Sequence, residues 1–299
     1  MSRQPTAAPG PTRPVAQPRL VRDAWSGRLV FVAPARSARP TGDDLACPFC
    51  VHGAEAPEPY APPYAFANRW PAIGAGRCEV IVHGDDHDDF GGMPAERIHA
   101  VVDLWADRGA DVARLPDVAC VLVFENRGAE AGATVAHPHS QLFGLPLRPE
   151  HWPADDGRGC PGCAGGEPGL TLAESAHHRV EVPVAPLSPF SLRIVARRHV
   201  AALTDLLPAE RAGLAQAIAD AVRGLDRVVG RPMPYHLWVQ QDIDPGPAAH
   251  LAVNVVGLLR SPTRALILGA AETATGLRFT PIDPYAAAAQ LRAAMQGSR

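Results

Sequence analysis

The sequence predicts an α+β protein built as two tandem copies of one plan, and three observations carry that prediction. Segments with apolar residues on alternate positions read as strands. Each half also contains one helix with an apolar stripe. Finally, a set of cysteines and histidines recurs at nearly constant spacing. Cys50 to His87 is 37 residues and Cys163 to His199 is 36, while His87 to His137 is 50 and His199 to His250 is 51. Two such matches in succession point to an internal duplication.

The elements follow in order. Met1 to about Pro18 is a Pro/Ala/Arg/Gln stretch that cannot pack a core, so residues 1–18 are expected to form a disordered tail. It lacks the apolar segment of a signal peptide, which predicts a cytoplasmic chain. The first half, 19–150, opens with a turn at Ser26-Gly27 leading into an alternating strand. Arg36 and Arg39 follow as either solvated loop charges or a phosphate clamp. Cys47-Pro48-Phe49-Cys50 forms a tight hook, and Phe66–Ala72 and Cys78–His83 are extended. Pro94 to about Arg108 is an amphipathic helix on Ile98, Val101, Val102 and Trp105. Strands at Val118–Glu125 and Thr134–Phe143 close the half.

The second half, 151–299, repeats the order. A hook at Cys160-Pro161-Gly162-Cys163 precedes strands at His178–Pro186 and Phe190–Ala196. A helix at Pro208–Val229 is followed by strands at Tyr235–Gln241 and His250–Leu259.

Composition narrows the function. The 299 residues are 46% hydrophobic and 20% charged with a net charge of −3, ordinary for a soluble domain that buries a sizeable core. There is no basic excess to hold a nucleic-acid backbone and no apolar run of membrane-spanning length, so neither DNA nor bilayer is an expected partner. The substrate class is small molecules.

Four of the six cysteines fall in two Cys-x-x-Cys pairs, which in a chain without a secretory signal favours metal over disulfides. Each copy supplies Cys, Cys, His and His, the complement of a closed tetrahedral zinc site: Cys47, Cys50, His87 and His137, then Cys160, Cys163, His199 and His250. Four protein ligands leave no open position, so such a zinc is a staple for a long Pro/Gly-rich loop. Free buried thiols are the alternative. Cys78 and Cys120 lie in apolar strands and read as core.

The segment Val135-Ala136-His137-Pro138-His139-Ser140-Gln141-Leu142-Phe143 alternates polar and apolar residues. In a strand, His137, His139 and Gln141 share one face. A strand with two hydrogen-bonded core histidines is the plainer reading. The repeat separates them, because aligning His250 with His137 sets Ala252 against His139 and Asn254 against Gln141. One histidine of the pair then belongs to metal, and His139 is left as the reactive group.

These residues resemble galactose-1-phosphate uridylyltransferase and its relatives in the histidine-triad superfamily, including plant ADP-glucose phosphorylase. The shared motifs are the opening at residues 22–40, Cys47-Pro-Phe-Cys50, Phe66-Ala-Asn-Arg-Trp-Pro-Ala72, Asp86-His87, Phe124-Glu-Asn-Arg-Gly128 and His137-Pro-His-Ser-Gln141. The resemblance implies two histidine-triad-like half-domains, each an antiparallel sheet with a packed helix and stapled by zinc. It makes His139 the nucleophile, and His137, Cys47, Cys50 and His87 the zinc ligands. Gln141 matches the transferase branch, since the hydrolases carry histidine there.

By the same carry-over, Asn126 holds phosphate oxygens, Asn68 and Arg69 lie beside the ribose, and Arg36 approaches phosphate. Arg69 departs from the acidic or apolar residue often found at its position. Backbone amides near Gly128 and Ser140 would spread developing charge. The Cys160, Cys163, His199 and His250 set is similar to the second zinc of the plant phosphorylase.

The implied activity is nucleotidyl transfer between a nucleotide-sugar and a sugar 1-phosphate through a covalent nucleotidyl-histidine, within galactose or wider carbohydrate metabolism. Alternatives are a nucleotide-sugar or dinucleoside-polyphosphate phosphorylase using inorganic phosphate, and an inactive zinc-stapled nucleotide-binding protein. A homodimer is open to such a chain. The Tyr-Glu that contacts the hexose in uridylyltransferases is replaced by Ala270-Ala271 after Gly269, which argues against galactose 1-phosphate as the preferred acceptor.

Overall fold

The computed structural model of the protein describes residues 17–38, 46–153 and 155–296. Residues 1–16 of the expected tail, and Arg39, lie outside that description. A hairpin of β1 (Arg19–Arg22) and β2 (Leu29–Val32) stands apart from the main sheet. That sheet has nine antiparallel-paired strands. The first half supplies β3 (Tyr64–Ala67), β4 (Cys78–Val82), β5 (Cys120–Arg127) and β6 (His139–Leu145). The second supplies β7 (Thr171–Glu174), β8 (His178–Glu181), β9 (Ser191–Ala196), β10 (Tyr235–Gln240) and β11 (Ala252–Gly257). Their order across the sheet is β3-β4-β6-β5-β10-β11-β9-β8-β7. Read inward, β3-β4-β6-β5 from one side matches β8-β9-β11-β10 from the other, so the duplication is written into the topology, with β5 pairing β10 at the join.

Alternation along each strand then sorts the two faces. Ile81, Val121, Val123, Leu142, Leu237, Val239, Val253 and Val255 point to one side and are buried in a single cluster. They pack beneath α1 (Ala95–Ala113) and α2 (Pro208–Val229), which bury Ile98, Val101, Val102, Trp105 and Leu214, Ile218, Val222, Leu225 from their apolar stripes. Gly230 ends α2 at φ 72, a left-handed stop that favours glycine. The opposite face carries His139, Gln141, Asn126 and Asn254, with a smaller apolar cluster of Phe49, Val80 and Val82 under the first hook.

Several expected boundaries move. The first helix runs one turn past Arg108, to Ala113. The strand expected at Thr134–Phe143 starts only at His139, as β11 starts only at Ala252; the residue before each strand gives its carbonyl to a backbone amide, Pro138 to His83 at 3.2 Å and Leu251 to Ala196 at 3.3 Å. The strands expected at His178–Pro186 and Phe66–Ala72 shorten to His178–Glu181 and Tyr64–Ala67. Elements without an earlier counterpart are β1, β7, the short pair β12 (Leu259–Ser261) and β13 (Arg264–Ala265), and the helices α3 (Ala270–Thr275) and α4 (Pro284–Gln296).

Under the helices lies a buried carboxyl that no basic side chain pairs by hydrogen bond among the described residues. Glu125 is 2% exposed, and Tyr235 donates its hydroxyl to Oε1 at 3.0 Å. Burial raises its pKa from 4.5 to about 8. The folded chain therefore keeps a proton that the unfolded chain has released, so stability falls as pH rises from about 5 to about 8. Chemical denaturation at pH 6 and pH 9 is expected to show that loss, of about 2–4 kcal/mol. Glu125→Gln should flatten the difference, and an unchanged slope would remove Glu125 as its source.

Candidate active site and metal centres

Both hooks reach the histidines predicted for them. In the first group, His137 Nδ1 lies 3.6 Å from each of the Cys47 and Cys50 sulfurs, and His87 Nε2 lies 3.2 Å from Cys50. In the second, His250 Nδ1 is 3.1 Å from Cys160 and 3.8 Å from Cys163, and His199 Nδ1 is 3.3 Å from Cys163. Within each group the four ligand atoms lie within 4.8 Å of one another. A tetrahedral ion with sulfur at about 2.3 Å and nitrogen at about 2.0 Å places those atoms about 3.5 Å apart, so both groups fit one metal ion each.

The buried histidine of each group is oriented alike. His137 Nε2 meets the Gly84 carbonyl at 3.0 Å and His250 Nε2 meets the Ala196 carbonyl at 2.7 Å. A carbonyl accepts, so Nε2 carries the proton and Nδ1 turns its lone pair to the sulfurs, the tautomer a ligand requires. Burial lowers the pKa of both rings, which keeps them neutral. Burial, and then the neighbouring thiol, raises Cys50 and Cys163, a penalty that a bound cation reverses.

Two residues beyond His137, β6 begins at His139. His137 thus sits outside the strand, turned to the metal group, while His139 is the first strand residue on the open face. His139 is 7% exposed, and its Nδ1 lies 2.8 Å from the His137 carbonyl, which accepts the proton there. Nε2 therefore presents its lone pair. Phe49, between the two cysteines of the hook, packs edge-on against the ring at 5.2 Å.

A cavity of about 290 Å³ opens over this histidine, lined by Arg36, Phe124, Asn126, Gln141 and the loop Gly132-Ala133-Thr134. Register explains the grouping, since Phe124 pairs with Gln141 across β5 and β6. Arg36 is steadied by donating to the Trp70 carbonyl at 3.2 Å.

Other predicted residues stand elsewhere. Asn68 does not line this cavity: its Oδ1 accepts from the Trp70 amide at 2.8 Å and braces the turn. Arg69 faces Glu55 at 3.6 Å beside a separate cavity with Tyr64 and Phe66. Those two aromatics share the face of His139, and Phe49 contacts both Phe66 and His139. Gly128 adopts φ 88 and its carbonyl accepts from the Ala131 and Ala133 amides, shaping the loop. The Ser140 side chain points to the opposite face, where it accepts from Trp105 Nε1 at 2.7 Å and lies 3.0 Å from His83 Nε2.

Sequence reading missed Phe49, Phe124, Thr134 and the Trp105–Ser140–His83 chain. Phe49 alone had a local signal, its place inside the Cys-x-x-Cys hook.

A family model described as galactose-1-phosphate uridyl transferase, N-terminal domain, matches residues 70–149. Galactose-1-phosphate uridylyltransferase of Thermotoga maritima is 29% identical over 90% of this chain and 95% of its own. The Streptomyces lividans protein of that name is 30% identical over 79% of this chain and 72% of its own. This chain belongs to the galactose-1-phosphate uridylyltransferase family. Membership makes it an enzyme of transferase type. A solved uridylyltransferase structure shares the fold with a TM-score of 0.80 at 26% identity, covering 94% of this chain and 99% of that one. Among the described residues of this family member, no helix is long and apolar enough to cross a membrane.

Proposed function

We propose that the chain moves a uridylyl or other nucleotidyl group between a nucleotide-sugar and a phosphorylated acceptor through a covalent adduct on His139. The observation that carries this is the imidazole held by the His137 carbonyl through Nδ1 and lining a cavity that also contains Gln141, Asn126 and Arg36. Nε2 attacks the α-phosphorus, the bond to the distal phosphate ester breaks, and sugar 1-phosphate leaves with that oxygen. Gln141 and Asn126 donate to the non-bridging oxygens, and Arg36 offsets their charge. The acceptor's phosphate oxygen then attacks the same phosphorus and the nucleotide returns. Imidazole suits both steps, being nucleophilic when neutral and a good leaving group once bonded to phosphorus.

Zn²⁺ is the metal we assign to both Cys/His groups. Its part is to fix the hooks, and with them Phe49 and His137, around the cavity. Incubation with UDP-glucose, followed by intact-mass and peptide analysis, is expected to show one added nucleotidyl group on His139. Full turnover with no adduct under rapid quench would sink the covalent reading.

The acceptor is expected to be something other than galactose 1-phosphate. Gly269 opens α3 and its amide is taken by Glu272 Oε2 at 3.0 Å, so this carboxylate serves the helix and does not supply the missing acid. Ala270 and Ala271 offer no hydrogen bonds to sugar hydroxyls. Side-by-side kinetics should give galactose 1-phosphate a kcat/KM about tenfold or more below that of the best alternative among glucose 1-phosphate, other sugar phosphates and inorganic phosphate. A galactose 1-phosphate value above all of these would overturn the assignment.

A further inference from the structure

The duplicated sheet has a second cavity, of about 170 Å³, under the second hook, where the first half packs Phe49, Val80 and Val82 beside His139. Register aligns the two residue by residue. Val82 stands beside His139 and Val195 beside Ala252; one position along, Val80 stands beside Gln141 and Arg193 beside Asn254. On the outer strands Tyr64 and Phe66 correspond to Arg179 and Glu181. In the hooks Phe49 corresponds to Gly162.

The second copy has thus lost the nucleophile yet keeps amides on that face at Gln240 and Asn254. It has also exchanged three apolar neighbours for Arg193, Arg179 and Glu181. Apolar decay does not produce this pattern, because each buried charge costs free energy unless something pairs with it.

The hollow is built. Gly162 lets the hook close on His250, whose ring a Cβ would meet at 2.3 Å, and so leaves open the volume that Phe49 fills in the first copy. Arg179 is 8% exposed and is held by Glu181 at 2.8 Å, while Arg193 has that carboxylate only at 3.9 Å. Two guanidiniums share one carboxylate, so the cavity keeps a positive charge. Asn254 is 5% exposed and shares the face of Ala252, which lines the cavity. Arg193 Nε donates to its Oδ1 at 3.1 Å, which orients the amide, and Nδ2 finds no acceptor among the described residues. Burial, with Arg179 nearby, lowers the Arg193 pKa from its ordinary value, as expected of a guanidinium short of anionic partners.

We infer that this cavity is a non-covalent site for a tetrahedral phosphate, free or as a phosphomonoester, gripped by Arg193 and Arg179, with Asn254 orienting Arg193. Ala252 in place of the histidine means that the phosphate is bound and not transferred.

The test uses the zinc-loaded full chain carrying Gln141→Glu, which repels anions from the first cavity, and calorimetric titration with inorganic phosphate. One phosphate is expected to bind per chain. Arg193→Gln should weaken it about tenfold or more through the lost charge-assisted hydrogen bonds. Glu181→Gln should tighten it several-fold by freeing both arginines, a gain that misfolding cannot mimic and that decides the matter if Arg193→Gln folds poorly. Repeating the titration with glucose 1-phosphate separates the sources: tighter binding identifies a phosphomonoester, weaker binding identifies free phosphate, and both support the site. No phosphate bound in this background, or an affinity that neither substitution changes, would overturn the inference.

Discussion

His139→Gly is expected to abolish nucleotidyl transfer, by about four orders of magnitude or more, while the chain keeps its fold and both metal ions. The size follows from the role: a nucleophile removed from a two-step transfer leaves no lower path through the same intermediate. The specificity of the effect follows from position. His139 is the first residue of β6, and its ring donates to the His137 carbonyl and packs edge-on against Phe49. His139 itself is not a member of either metal group. The second copy carries alanine at the matching start of β11, and the strand forms there without a histidine. Turnover with UDP-glucose and a sugar 1-phosphate, zinc by elemental analysis and far-ultraviolet circular dichroism are the three measurements. Near-normal turnover would require abandoning the covalent mechanism, and loss of zinc would show that the two histidines are not separable.

The metal groups carry the second large effect. Protein purified without added metal should contain about two zinc ions per chain, and a ratio at or below one would remove the second site. An ion bound in either group would hold a hook that is otherwise a loop rich in proline and glycine, so its binding free energy would be in good part folding free energy. Cys47→Ser is expected to lose one zinc, to lower the melting temperature by about 10 °C or more, and to depress activity even in the molecules that stay folded. The activity falls because the hook carries Phe49 against His139 and because His137, a member of the same group, offers the carbonyl that sets the His139 tautomer. Cys160→Ser should give a similar thermal loss with turnover per folded molecule within about threefold of the parent, since its hook holds His250 and Gly162 in the half without a nucleophile. Equal activity losses in the two variants would refute this division.

What the sequence by itself determined were relations along the chain. The spacing of Cys, Cys, His and His recurs because each copy must span the same distances from hook to strand end, and covalent geometry preserves such intervals through divergence. The gathering of both Cys/His groups, the alternation that makes His139 and Gln141 neighbours, and the apolar stripes of α1 and α2 were legible for that reason. The contrast of His139 with Ala252 was legible too, once the copies were laid side by side.

Tertiary structure decided everything that depends on register between distant strands or on a hydrogen-bond partner. No local pattern says that Phe124 stands beside Gln141, or that Asn68 spends its side chain on a turn. Alternation places Ser140 on the face opposite His139 but does not name the tryptophan it meets. The tautomer of His139 is set by a carbonyl two residues back, 2.8 Å from Nδ1. The second cavity belongs here as well. Arg179, Arg193 and Ala252 are scattered over three strands, and only the pairing of β8, β9 and β11 brings them to the lining of one cavity.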